Sequence, residues 1–167
     1  MLFIKPSLIF RTISLYIILV LFILIFSFFL NYFEANPCSA NSLILEKQLL
    51  SLAEKSDIIK LSDITSFKWD KAYSFSPYTT KETIYETIGS QCNSINESIS
   101  EGMNHLVFLK NGEVVSYLYG YPDEIGYYIS FDSSFYKDGV GVISYDEDIK
   151  FKISIKNDIL NLTHINN

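Results

Sequence analysis

From Ile13 to Leu30 the chain runs for 18 residues without a charge, through Ile-Ile-Leu-Val-Leu-Phe-Ile-Leu-Ile-Phe and their neighbours. At about 1.5 Å per residue such a helix spans roughly 27 Å, the thickness of a bilayer's hydrocarbon core. Tyr32 and Phe33 extend it, so residues 13–33 read as a transmembrane helix of the signal-anchor type. Ser14 and Ser27 can return their hydroxyls to the helix backbone, and Tyr16 and Tyr32 fall where amphipathic rings favour the two interfaces. Lys5 and Arg11 precede the run and Glu34 follows it. The positive-inside bias then keeps residues 1–12 in the cytoplasm and puts the rest in the periplasm or extracellular space, N-in and C-out. The competing reading is a cleaved signal peptide with Cys38-Ser39-Ala40 as its small-residue site, against which the apolar run exceeds the usual h-region of about 7–15 residues. A lipoprotein reading centred on Cys38 meets a poor lipobox in Ala35-Asn36-Pro37. Each of these routes exports the remainder of the chain.

With 167 residues there is room for one ordinary domain besides the anchor. Residues 34–41, with Asn36, Pro37 and Ser39, are expected to form a linker, and 42–167 an exported α+β domain. From Glu34 onward the chain carries 11 lysines, no arginine and 19 carboxylates, a net charge of −8. Such a surface repels phosphate backbones and lacks the guanidinium fork that grips phosphate, so nucleic acid is excluded as a partner.

Cys38 and Cys92 are the only cysteines and both lie on the exported side, where disulfides persist. Their pairing is expected, and would stabilise by on the order of 4 kcal/mol in the chain-entropy model. The alternative makes Cys92 a nucleophile with His105 as its base, although no nucleophile motif surrounds it.

Leu45, Leu49 and Leu52 recur at helical spacing, with Asn41 or Ser42 placed to cap a helix that ends near residues 56–60. Phe67, Trp69, Lys71, Tyr73 and Phe75 alternate with polar residues, the period of a half-buried strand. Thr79-Thr80-Lys81-Glu82 reads as a capping box opening a second helix, with Ile84 and Ile88 inward and Gly89 as its left-handed stop. Residues 90–104 are polar and aperiodic, a loop. Asn111-Gly112 between two apolar runs marks a hairpin, the strongest such signal at short range. Residues 127–131 and 140–145 suit further strands, 149–155 alternates strictly, and Asn157-Asp158 can turn it into a last strand over 159–165. The expected fold is α+β: the N-terminal transmembrane helix, then an antiparallel sheet of five or six strands with two helices on one face.

The run Phe67-Lys68-Trp69-Asp70-Lys71, followed by Tyr73, Phe75, Pro77-Tyr78-Thr79, Ile84 and Gly89, resembles a segment of small, uncharacterised, exported or membrane-anchored bacterial proteins. That resemblance implies a bacterial envelope protein and no activity. A capped helix, a glycine and a hairpin are also similar, at the level of fold, to the outer-membrane assembly lipoprotein and β-lactamase-inhibitor-protein arrangement.

Two groups of residues stand out as binding candidates. Lys71 sits by alternation among the rings of Phe67, Trp69, Tyr73 and Phe75, so that Trp69, Asp70 and Lys71 make either a site with a partly desolvated lysine or a lysine stem packed on rings. Tyr117, Tyr119 and Tyr121 share a strand face, either as a platform for a partner peptide or sugar or as ordinary cross-strand packing. His105 and His164 lack neighbours at ligand spacing, so no metal is expected; Asp146-Glu147-Asp148 reads as a solvated turn, and Glu82 with Glu86 as helix surface. No cofactor motif is present. The functional expectation is a membrane-tethered, extracytoplasmic, non-catalytic interaction module for an envelope protein or glycan, in envelope maintenance, assembly or inhibition. The alternative is a small secreted or envelope hydrolase or thiol enzyme.

Overall fold

The computed structural model describes residues 6–34, 37–54, 58–147 and 149–165, and the chain divides into two compact units, residues 1–37 and 38–167. The first holds helix α1 (Pro6–Glu34). Its stretch Phe10–Phe28 is 19 residues long and none of it is buried. By length and composition it is apolar enough to cross a membrane, and a signal sequence meets the same test.

The second unit is α+β, as expected. It opens with α2 (Pro37–Leu50), extended by a 3-10 turn over Ser51–Glu54. Then come β1 (Ile58–Lys60), α3 (Leu61–Ile64), β2 (Lys71–Phe75), α4 (Lys81–Ile88), β3 (Asn104–Lys110), β4 (Glu113–Gly120), α5 (Pro122–Ile125), β5 (Tyr127–Ser130), β6 (Val140–Ser144), β7 (Lys150–Lys156) and β8 (Ile159–Ile165). The strands form two four-stranded sheets, ordered β4-β3-β2-β6 and β1-β7-β8-β5, rather than the single antiparallel sheet expected. Local signals give the two hairpins, β3–β4 and β7–β8. They say nothing of long-range pairing, where β6 closes on β2 antiparallel and β5 runs parallel to β8.

Both hairpin turns rest on left-handed residues, Asn111 (φ 52°) with Gly112 (φ 81°) and Asn157 (φ 53°) with Asp158 (φ 62°), the backbone that matches the twist of tightly joined strands. Strand β3 is buried on both faces, so its pattern is a continuous apolar run rather than an alternation. Leu106 and Phe108 face a core shared with Leu118, Ile143, Phe151 and Leu162 from both sheets and with Leu45 and Leu49 of α2. Val107 and Leu109 face the other way, onto Ile84 and Ile88 of α4 and onto Ile95.

The helix boundaries depart from expectation in instructive ways. Helix α2 begins at Pro37, so residues 37–41 of the expected linker are helical, and residues 35 and 36 lie outside the described residues. Proline suits that first turn because its missing N–H has no partner there anyway. Asn41 and Ser42 are therefore inside the helix, and their side chains cover the edge of β4 instead of capping. Asn41 Nδ2 donates to the Val115 carbonyl at 2.8 Å, and Ser42 Oγ accepts the Tyr117 N–H at 3.0 Å. Unpaired strand edges invite association, and here two side chains close one. The N-cap of α4 is Thr80, whose hydroxyl accepts the Thr83 N–H at 3.3 Å, while Thr79 donates to the Ser76 carbonyl at 2.7 Å. Gly89 (φ 68°) ends α4 as expected.

Candidate functional site

Asp70 precedes β2 and organises one end of the β4-β3-β2-β6 sheet. Its N–H donates to the Leu109 carbonyl at 2.7 Å and its carbonyl accepts the Tyr145 N–H at 2.9 Å, extending β2 by one residue toward both neighbours. Its carboxylate accepts the backbone N–H of Asn111 at 2.7 Å and pairs with the Lys110 ammonium. The Asn111 N–H and then Lys110 hold the Asp70 carboxyl below the usual carboxylate range. Beside it Trp69 is buried, its indole N–H donating to Thr65 Oγ1 at 2.8 Å. The Trp69 ring meets Tyr145 edge to face, centroids 5.0 Å apart, and Tyr145 is half exposed. Lys68, Trp69, Asp70, Lys110, Tyr145 and Asp146 thus line an open cleft of about 460 Å³.

Lys71 does not line this cleft, and the alternation that placed it among four rings breaks at the start of β2. Residues 67–70 precede the strand, and Phe67 and Trp69 pack into the core between the sheets with Ala72. Tyr73 and Phe75 turn to the opposite core, over α4, while Lys71 itself is exposed.

The three tyrosines are also divided. Tyr117 and Tyr119, with Ser39, Ser42, Leu43 and Glu46 of α2, line a separate cavity of about 220 Å³. Tyr121 lies beyond β4, at the N-cap of α5. Burial raises the titration of Glu46, and of both phenols, above their ordinary values.

The expected disulfide is not formed: Cys38 and Cys92 are free thiols. They are nonetheless neighbours, and burial first and the adjacent Cys92 second push the Cys38 thiol up. Adjacency came from spatial convergence of the first turn of α2 with the loop after α4. A thiol dyad is absent, because both ring nitrogens of His105 are buried without a hydrogen-bond partner. His105 packs between Phe75 and Tyr119 at 5.3 and 5.6 Å, and burial pushes its imidazole down to about 4. Glu82 and Glu86 are exposed on α4. Among the described residues no cluster of His, Cys, Asp and Glu suits a metal ion.

Sequence reasoning reached Trp69, Asp70, Tyr117 and Tyr119 but missed Lys68, Lys110, Tyr145, Asp146, Glu46 and the two α2 serines of the cavities. The acidic turn at 146–148, Ser42 as a cap and Lys68 within the aromatic run had drawn notice for other reasons, and the remaining positions carry no local signal. No protein-family model, curated protein or solved structure matches the chain.

Proposed function

We propose that this chain is a membrane-tethered, extracytoplasmic interaction module, anchored by residues 13–33 with its N-terminus in the cytoplasm, that holds an envelope protein in the Trp69–Tyr145 cleft. The observation that carries the reading is the composition of that cleft: a half-exposed aromatic ring among two lysines and two carboxylates. Mixed charge around an aromatic anchor suits a protein segment, since tyrosine supplies apolar area at low entropic cost. A sugar ring needs an open aromatic face. Here the Trp69 ring is buried against Tyr145 and Phe108. The basic start of the chain and the uncharged run after it support the tether and its direction.

The test places a photo-crosslinking amino acid at Tyr145 of the full-length protein in native membranes, with a control at Ile155, an exposed position on β7. The expected result is one dominant adduct from position 145 that the control lacks and that Asp70→Ala weakens. Equal adducts from both positions overturn the cleft as the binding site. Resistance of the chain to alkaline extraction, together with protease access to residues 38–167 only from outside the cell, checks the tether separately.

A further inference from the structure

Helix α2 is apolar on both sides. Leu45 and Leu49 are in the core, yet Leu43, Ile44 and Leu50 on the outward face remain 53%, 43% and 49% exposed, with Ala40 and Lys47 among them. Three large apolar side chains exposed on one helix face form a patch that suits a covering surface. Only residues 35 and 36 separate α2 from α1 in the chain. The covering surface that the tether guarantees nearby is a lipid bilayer.

The same stretch of α2 lines the smaller cavity, where Leu43 stands beside Glu46, Tyr117 and Tyr119. Ser42 is saturated there: its hydroxyl donates to the Cys38 carbonyl at 2.7 Å and accepts from the Tyr117 N–H. Glu46 is the only charged group lining the cavity and has no ion-pair or hydrogen-bond partner among the described residues. An unpaired carboxylate lining a cavity with two electron-rich rings is the recognition chemistry of an alkylammonium group. Free amines and lipid headgroups share that chemistry, and the exposed leucines beside the cavity favour the lipid. The net charge of −7 on residues 38–167 disfavours anionic headgroups.

We propose that the α2–β4 cavity takes the ammonium end of a zwitterionic phospholipid headgroup while Leu43, Ile44 and Leu50 insert beside it. The proposal rests on the tether reading above and adds to it a lipid preference located at named residues.

The experiment follows backbone amide resonances of residues 42–47 and 117–119 in the full-length protein. One arm titrates tetramethylammonium into detergent-solubilised protein, and the other compares nanodiscs of phosphatidylcholine with nanodiscs of phosphatidylglycerol. Support consists of saturable shifts with tetramethylammonium, a matching difference between the two lipids, and weakening by about tenfold in Glu46→Gln. Leu43→Ser with Leu50→Ser is expected to abolish the lipid difference and leave tetramethylammonium binding in place. Tetramethylammonium binding with identical nanodisc spectra overturns the lipid and assigns the cavity to a free amine; no shift in either arm overturns the cavity. Loss of the protein from nanodiscs at alkaline pH signals failure of the tether itself, whatever the titration gives.

Discussion

The side-chain amide of Asn104 donates to the backbone carbonyl of Tyr127 at 2.9 Å, and its Oδ1 accepts the N–H of Ile129 at 2.8 Å. Asn104 opens β3 in one sheet, and Tyr127 and Ile129 belong to β5 at the edge of the other. One side chain therefore imitates the missing neighbour strand and joins the two sheets in a buried setting. Asn104→Ala strands both backbone groups, and we expect a loss of about 2–4 kcal/mol in urea unfolding. Asn104→Asp keeps an acceptor for Ile129 but offers Tyr127 no donor when ionised, so its loss should grow as pH rises through the carboxylate range.

His105 makes stability depend on pH. The unfolded chain takes up a proton near 6.5, whereas the buried imidazole does so only near 4. The lowered folded value leaves stability intact above pH 6.5 and removes it as pH falls from 6.5 to 4, by about 3 kcal/mol in all. His105→Phe, which keeps a ring between Phe75 and Tyr119 and removes two unpartnered nitrogens, should flatten that part of the profile and leave neutral-pH stability equal or higher.

The Phe135 ring packs against Gly141, where a Cβ would come within 2.3 Å of it. Its stack on Phe131, with centroids 4.7 Å apart, and its contact with His164 limit how far the ring can retreat. Gly141→Ala is expected to cost about 1–3 kcal/mol. Combining it with Phe135→Leu should recover part of the loss.

In the reduced protein the two thiols should differ in reactivity. Cys38 is 3% exposed with its titration raised, and Cys92 is partly open. Timed alkylation at pH 8 followed by peptide mapping should label Cys92 first, with Cys38 reacting at a comparable rate only after unfolding.

Asp70→Ala should free the β3–β4 turn locally. Hydrogen exchange at the Asn111 amide, which donates to the Asp70 carboxylate at 2.7 Å, is expected to speed up while the amides of β3 stay protected. Acidification should act the same way, because the carboxyl holds the turn at pH above its ordinary value and releases it as pH falls through its lowered folded value.

The sequence by itself determined what depends on near neighbours. An uncharged run makes α1 a helix, Ile84, Ile88 and Gly89 set the inner face and end of α4, and Asn-Gly and Asn-Asp turn the two hairpins, because period, cap and turn geometry are settled within a few residues. Tertiary structure alone decided which distant strands meet. It paired β6 with β2 and β5 with β8, kept Phe67 with Trp69 but parted both from Tyr73 and Phe75, and drew Asn41 and Ser42 from capping duty to the edge of β4. Both cavities belong to this second class. Lys110 reaches Asp70 across 40 residues, and Tyr117 meets Ser42 across 75, separations at which no periodicity survives. Such contacts form only once burial of the two cores has fixed where each strand ends, because long-range pairing is set by the shape that excludes water from the whole set of apolar side chains.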